Sequence, residues 1–117
     1  ELCALGRRGA GSVCVARRRG TAYEAKMIAV DGNVSDLAVI GTSLFVLGSD
    51  GKLRLYASDA IERAAADGAQ ATCELDLRVS GEPSTLCATV KGGNKLWAGS
   101  RGGDLVCCDA VKRGLDI

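Results

Sequence analysis

The chain of 117 residues contains no histidine, and this absence narrows the functions that it can carry. Without histidine there is no Ser–His or Cys–His catalytic pair, and the commonest protein ligand for transition metals is missing. The six cysteines form no C-x-x-C motif, which disfavours a structural zinc site. The sequence therefore predicts a protein that is not an enzyme and that uses no metal or other cofactor.

Aromatic residues are scarce, with one Trp, two Tyr and one Phe in the whole chain. Proteins that bind single-stranded nucleic acid stack the bases on aromatic side chains. A net charge of +1 also provides no general attraction for an anionic polymer. The basic residues Arg7 and Arg8 and the triplet Arg17–Arg19 are better explained as solvated connections between strands. Nucleic acid is therefore disfavoured as a partner.

The chain has no apolar run near the roughly 20 residues that a membrane-spanning helix needs, and no signal-peptide pattern. It begins Glu1-Leu2-Cys3 without Met, so we expect a piece of a longer polypeptide. The cysteines lie among apolar residues, which favours buried, reduced thiols over a disulfide framework. These features together predict an intracellular protein, most simply a cytoplasmic one.

Glycine is abundant, with 16 residues against a single proline, which fits many tight turns between strands. Residues 44–56 read Leu-Phe-Val-Leu-Gly-Ser-Asp-Gly-Lys-Leu-Arg-Leu-Tyr and predict two strands around a turn. In that turn Asp50 can bond to the backbone and Gly51 can adopt a positive φ. Leu53 and Leu55 then fall on one face of the second strand.

This hairpin recurs along the chain. Residues 96–105 repeat it 52 positions later without a gap, so that Gly51 aligns with Gly103 and Leu53 with Leu105. A weaker copy, residues 11–15, matches residues 51–55 from 40 positions upstream. A hairpin that returns at such spacings indicates a repeat architecture. Further strands are predicted between the copies, at residues 2–5, 21–30, 34–40, 71–79 and 85–90.

The segment of residues 58–70 interrupts this rhythm. Ser58-Asp59 resembles the start of a helix and Asp67-Gly68 its end. Because Ile61 is the only large apolar residue between them, we expect an extended loop with about two helical turns and little to bury. Deleting residues 60–68 is accordingly expected to spare folding and to weaken association with a partner.

The repeated unit is a half-polar strand, an apolar strand and the glycine-turn hairpin. It resembles a blade of a β-propeller, most closely of the WD-repeat family. Residues 47–57 are similar to that family's third-strand signature, in which a Ser-x-Asp-Gly turn leads into alternating apolar residues and a final Trp-Asp. Asp50 is then the turn aspartate, Tyr56-Ala57 replaces Trp-Asp, and Cys108-Asp109 keeps only the Asp. The family's Gly-His pair is missing, and residues 96–103 also resemble sensor-type and quinoprotein-like propellers.

The resemblance implies an all-β fold of antiparallel four-stranded blades, forming between two and three blades of a partial propeller. The predicted divisions are residues 1–20 for the end of one blade, 21–57 for a complete blade, 58–70 for an inserted loop and 71–117 for the next blade. All belong to one propeller domain that extends beyond this segment. Since about four blades are needed to close a propeller, we expect bare apolar end faces that missing sequence or another subunit covers.

Most intracellular propellers of the WD type are scaffolds, so the resemblance implies a non-catalytic scaffold for protein–protein interaction within a larger assembly. One alternative is a ligand-binding or cofactor-binding propeller of the quinoprotein-like or sensor-like type. The carboxylates available to it are scattered over turns: Asp31, Asp36, Asp50, Glu82 and Asp104. Another alternative is an RNA-associated propeller subunit.

In the resembled fold the turns open on two rims, and loops on a rigid scaffold are where binding residues concentrate. One rim would carry Arg7, Arg8, Asp31, Asn33, Ser49, Asp50, Glu82 and Arg101. The other would carry Thr42, Ser43, Gly92, Asn94, the Arg17–Arg19 loop and residues 58–70. We predict partner contact on the second rim through Arg17, Arg18, Arg19, Glu62 and Arg63. Arg63 is the expected anchor through carboxylate pairing, while Asp50, Gly51 and Gly103 are structural turn residues.

Overall fold

The computed structural model describes residues 2–64, 68–111 and 114–116. These residues form eleven β-strands and one short helix. The strands are β1 (Leu2–Gly6), β2 (Ser12–Arg19), β3 (Ala22–Ala29), β4 (Val34–Ile40), β5 (Ser43–Gly48), β6 (Lys52–Tyr56), β7 (Cys73–Asp76), β8 (Pro83–Thr89), β9 (Lys95–Ser100), β10 (Leu105–Val111) and β11 (Gly114–Asp116). The helix α1 (Ser58–Arg63) follows β6.

The strands form three antiparallel sheets in which each strand pairs with its neighbours in sequence. The first sheet is β1-β2-β3, the middle sheet is β4-β5-β6-β7 and the third sheet is β8-β9-β10-β11. The prediction of an all-β fold with antiparallel sheets is confirmed. The predicted hairpin turns are also present, since Gly51 and Gly103 have φ values of +83° and +91°.

The predicted units begin at residues 21 and 71. In the structure, the sheets are instead separated at residues 30–33 and 77–82. The strand β3 pairs with β2 along its whole length, from Ser12↔Ala29 to Arg19↔Ala22. A tight turn makes this pairing possible, because Gly20 has a φ of +63° and returns the chain at once. Similarly, β7 closes the middle sheet by pairing with β6 instead of opening the third.

The middle sheet is covered on both faces because its strands alternate two sets of apolar residues. One set packs with the first sheet: Val34, Leu44, Val46 and Tyr56 share a core with Val13, Val15 and Ile28. The other set packs with the third sheet: Phe45, Leu47, Leu53 and Leu55 share a core with Leu86, Leu96, Ala98 and Cys108. The first strand of each sheet lies on a common side, since β1 contacts β4 and β4 contacts β8.

The inserted segment buries more than the sequence suggested. Its helix α1 begins after Ala57, so that Ser58 is the first helical residue rather than a capping residue. Ile61 is only 2% exposed and packs in the core shared by the first and middle sheets. Deleting residues 60–68 would remove this core side chain, so the structure leads us to expect that the deletion lowers stability rather than spares folding. Asp67, the expected helix end, lies outside the described residues.

The cysteines are all free thiols, but their predicted burial holds only in part. Cys108 is buried in the core between the middle and third sheets, and burial raises the pKa of its thiol to about 11. Cys3 and Cys87 are exposed, and Cys14, Cys73 and Cys107 are partly exposed. The reason is positional: Cys3 and Cys87 lie on sheet faces that no other described sheet covers.

Candidate functional site

The predicted partner-binding residues meet where the turn between β2 and β3 approaches α1. Arg17 donates to the carboxylate of Glu62, and its Nη2 lies 3.0 Å from the Ser58 hydroxyl oxygen. Arg19 Nη2 donates to Glu62 Oε1 at 2.8 Å. Lys26 on β3 adds a bond from Nζ to the Ile61 carbonyl at 3.0 Å. These contacts fasten the inserted segment to the first sheet.

The five predicted residues therefore have different environments. The Arg17 side chain is only 19% exposed, and its contacts with Ser58 and Glu62 hold α1 in place. The Arg18 Nε donates to the Gly20 carbonyl at 3.0 Å. The Arg63 side chain is 75% exposed and is joined to Asp59, one helical turn earlier, by a 3.3 Å bond. Arg63 is thus the member of the set best placed to reach another molecule.

A groove of about 810 Å³ opens beside Arg63, between the middle and third sheets. Its polar wall combines α1 with turns of both sheets: Thr42, Ser43, Ser58, Asp59, Glu62, Arg63 and Asn94. Its apolar floor consists of Ile40, Phe45, Leu55, Ala57 and Ala110. The sequence analysis placed Thr42, Ser43 and Asn94 on the same rim as α1, and the structure brings them together. It missed the apolar floor, whose residues read in sequence as ordinary core positions.

The opposite rim is organised by Arg54, which the sequence analysis did not single out. Arg54 is 4% exposed and donates to Asp50 Oδ2 at 2.7 Å, to Glu74 Oε2 at 2.9 Å and to the Asp31 carbonyl at 3.0 Å. Burial of Asp50 works against ionisation, but the bonds from Arg54 and from the Lys52 amide outweigh it and lower the pKa of Asp50. Hydrogen bonds from Lys52 and Arg54 likewise lower the pKa of Glu74.

The contacts on this rim, around Arg54, are structural because they join neighbouring strands and turns. The Asp50 carboxylate accepts from the Lys52 amide at 3.2 Å, as expected of a turn aspartate. The Ser49 amide donates to the Asn33 carbonyl at 2.8 Å. In sequence Arg54 alternates with Leu53 and Leu55, as an exposed residue of a half-buried strand would, so the local pattern gave no signal for this network. The register Arg54↔Glu74 places the two side chains on one face.

The scattered carboxylates of the ligand-binding alternative do not converge. Asp36 Oδ2 accepts from the Leu86 amide at 2.7 Å and so links the middle and third sheets. Asp104 Oδ2 accepts from the Ser80 amide at 2.6 Å, and hydrogen bonding to Ser80 lowers the pKa of Asp104. Within the part of the chain that the structure describes, no three His, Cys, Asp or Glu residues are grouped as a metal ion would require.

Comparison of the chain with protein-family models, with curated proteins and with solved structures found no match. Across residues 2–64, 68–111 and 114–116, no helix has both the length and the apolar character needed to cross a bilayer. The contacts around Arg63 on one rim and around Arg54 on the other are therefore the observations from which a function is inferred.

Proposed function

We propose that this chain is part of a β-propeller, most like those of the WD-repeat family, and that it is a non-catalytic scaffold for protein–protein interaction. Propeller blades are antiparallel sheets, mostly of four strands, arranged around a central channel. The observation that carries the proposal is the middle sheet, which is covered on both faces by sheets of the same meander order. The neighbouring first strands β1, β4 and β8 would line the channel.

The groove beside Arg63 is the proposed partner-binding site. It joins an apolar floor to a polar wall, the combination found at protein interfaces, where an apolar centre is surrounded by polar residues. The exposed Arg63 guanidinium can form paired bonds with a carboxylate of a partner. Arg17 and Glu62 support the site from behind because they fix α1. An intracellular, cytoplasmic setting belongs to the same proposal.

The test compares the proteins that co-purify with two charge-reversal variants in the protein's natural source. Arg63→Glu reverses the charge at the groove, whereas Arg101→Glu is a matched control on an exposed turn of the other rim. We expect Arg63→Glu to lose at least one captured protein, identified by mass spectrometry, that Arg101→Glu retains. Identical sets of captured proteins for both variants and the wild type would contradict the proposed site.

A further inference from the structure

The first sheet has an apolar face that points away from the middle sheet. Its residues alternate with those of the core, as the register of β1, β2 and β3 shows. We call it the Met27 face, and it comprises Cys3, Leu5, Cys14, Ala16, Arg18, Tyr23, Ala25 and Met27. Leu5 is 76% exposed, Met27 58% and Tyr23 55%, so large apolar surfaces face solvent here. Such a contiguous face is typical of an interaction surface.

The third sheet has a corresponding face at the other end of the stack. The register of β8, β9 and β10 aligns Cys87, Trp97 and Cys107 in one row across the sheet. We call it the Trp97 face, and it comprises Thr85, Cys87, Thr89, Lys95, Trp97, Gly99, Leu105, Cys107 and Asp109. Leu105 is 68% exposed and Trp97 37%. The stack of sheets therefore ends in an uncovered apolar face on both sides.

The internal repeat indicates what the Trp97 face contacts. Phe45 and Leu53 of the middle sheet occupy the repeat positions of Trp97 and Leu105. Both are buried against the third sheet, in a core that combines the small side chains of Ala98 and Cys108 with Leu86 and Leu96. By repetition, the Trp97 face fits a sheet that also combines small and large apolar side chains. It continues the packing mode that already joins the middle and third sheets.

The Met27 face has this character. Its strand centres carry Cys14, Ala16 and Ala25, which leave room for a large ring between the longer Leu5 and Met27. The direction also agrees, because Val13 and Val15 of the first sheet point towards the middle sheet just as Leu53 and Leu55 point towards the third. Every sheet thus presents the same kind of face to the next one along the stack.

The charged residues of the two faces lie at the same rim. Arg18 lies on the Met27 face at the end of β2 that approaches α1, since its neighbours Arg17 and Arg19 both contact Glu62. Asp109 lies on the Trp97 face, in the row of Lys95 and next to Asn94, which lines the groove beside α1. Both residues are therefore at the same rim, where stacking of the two faces would bring Arg18 next to the Lys95–Asp109 ion pair.

We propose that the Trp97 face of one chain packs on the Met27 face of a second copy, and that two copies close into a ring of six sheets. The inference rests on the proposed propeller, whose closed rings typically contain four to eight blades. The contact is head to tail, because it joins different faces of the two chains. A two-fold axis repeats the contact, so both apolar faces of each copy are covered and none is left free.

The oligomeric state of the purified chain tests the proposal directly. We expect light scattering after size exclusion to give twice the 12.0 kDa chain mass at micromolar concentration. Leu105→Asp on the Trp97 face and Met27→Asp on the Met27 face should each yield monomers. Val90→Asp is the matched control, because Val90 is 64% exposed but lies in the turn after β8, away from both faces. It should remain dimeric, and far-UV circular dichroism should show all three variants folded.

Mixing the two monomeric variants separates head-to-tail packing from every other dimer. Each variant keeps one intact face, so an equimolar mixture should form an open dimer through one wild-type contact, while neither variant dimerises alone. A monomeric wild type, a dimer that either face variant leaves intact, or an open polymer would overturn the proposal. If the chain is monomeric on its own and associates only with a longer version of itself, the two faces contact further sheets of the same polypeptide and the proposal is wrong. The groove beside Arg63 is on a rim, so its test is separate from this one. If the chain is not a dimer but Arg63→Glu still loses a captured protein, this inference is wrong and the proposed function is unaffected.

Discussion

The middle and third sheets contain the same hairpin in two different surroundings. Leu53 in the middle sheet is fully buried, whereas Leu105, 52 positions later at the equivalent place, is 68% exposed. The sequence pattern is the same in both, so the difference comes only from having a neighbouring sheet or not. The repeat therefore specifies an apolar face that packs on a neighbouring sheet, both where this chain contains that sheet and where it does not.

Shortening Leu53 and Leu105 to alanine should give the largest difference in stability between the two sheets. Leu53→Ala leaves a cavity between two sheets and is expected to cost about 3 kcal/mol of unfolding free energy. Leu105→Ala removes atoms that already face water and should change it by less than about 0.5 kcal/mol. Both are measured by urea denaturation in a Met27→Asp background, which is expected to keep the chain monomeric.

The same pair measured in the otherwise wild-type chain sharpens the result. If a second copy covers the Trp97 face, Leu105→Ala should become costly and its effect should depend on protein concentration. Equal costs for Leu53→Ala and Leu105→Ala in the monomeric background would contradict the comparison, because Leu105 would then be buried within a single chain.

A second difference between the sheets concerns charge. Arg54 is buried within the middle sheet, while the equivalent positions in the other sheets carry Cys14 and Val106. Arg54→Met keeps the side-chain stem but loses the bonds to Asp50 and to the Asp31 carbonyl. We expect a loss of about 2 kcal/mol at neutral pH, measured by urea denaturation. Arg101→Met, on an exposed turn, is the control and should be nearly neutral.

The pH dependence checks the cause of that loss. The pKa values of Asp50 and Glu74 are lowered in the folded chain from their ordinary values of 3.8 and 4.5. Their stabilising effect is therefore complete above those ordinary values, and it disappears as the pH falls through the lower folded pKa values. The wild type should lose stability in that acidic range more steeply than Arg54→Met. Parallel pH profiles would show that packing of the arginine stem, not charge, accounts for the loss.

Local patterns predicted much of the fold. The alternation of Cys73 and Leu75 and the turn glycines Gly51 and Gly103 indicated strands and hairpins that the structure confirms. The strand predicted at residues 71–79 is shorter in the structure, Cys73–Asp76, and Arg78 leaves the extended conformation with a φ of +54°. The grouping of strands into sheets differs from the predicted units, because it depends on which neighbour β3 and β7 pair with, and alternation carries no such information.

The candidate site was predictable to a lesser extent. The rim assignment placed Arg17, Arg19 and Glu62 together, and the structure joins them through ion pairs. The predicted Arg17–Arg19 loop is wrong, however, because these residues form the end of strand β2 and pair with β3. Burial of Ile61 could not be predicted, since one apolar residue in a polar segment gives no period from which a packed face can be recognised. The buried network around Arg54 depends on contacts between residues far apart in sequence, so spacing alone did not indicate it.

The smallest change in stability is expected at the turn glycines, where the middle and third sheets should respond alike to substitution. Gly51 and Gly103 occupy equivalent turns with φ values of +83° and +91°, and a Cβ added at either position would meet no atom within 4 Å. Their substitution by alanine therefore costs only backbone strain, about 1 kcal/mol at each site, independent of the neighbouring sheet. Asparagine tolerates positive φ, so Gly51→Asn and Gly103→Asn should be milder. Urea denaturation of the four variants tests this, and a clearly larger cost at one turn than at the other would show that covering of the sheet extends to its turns.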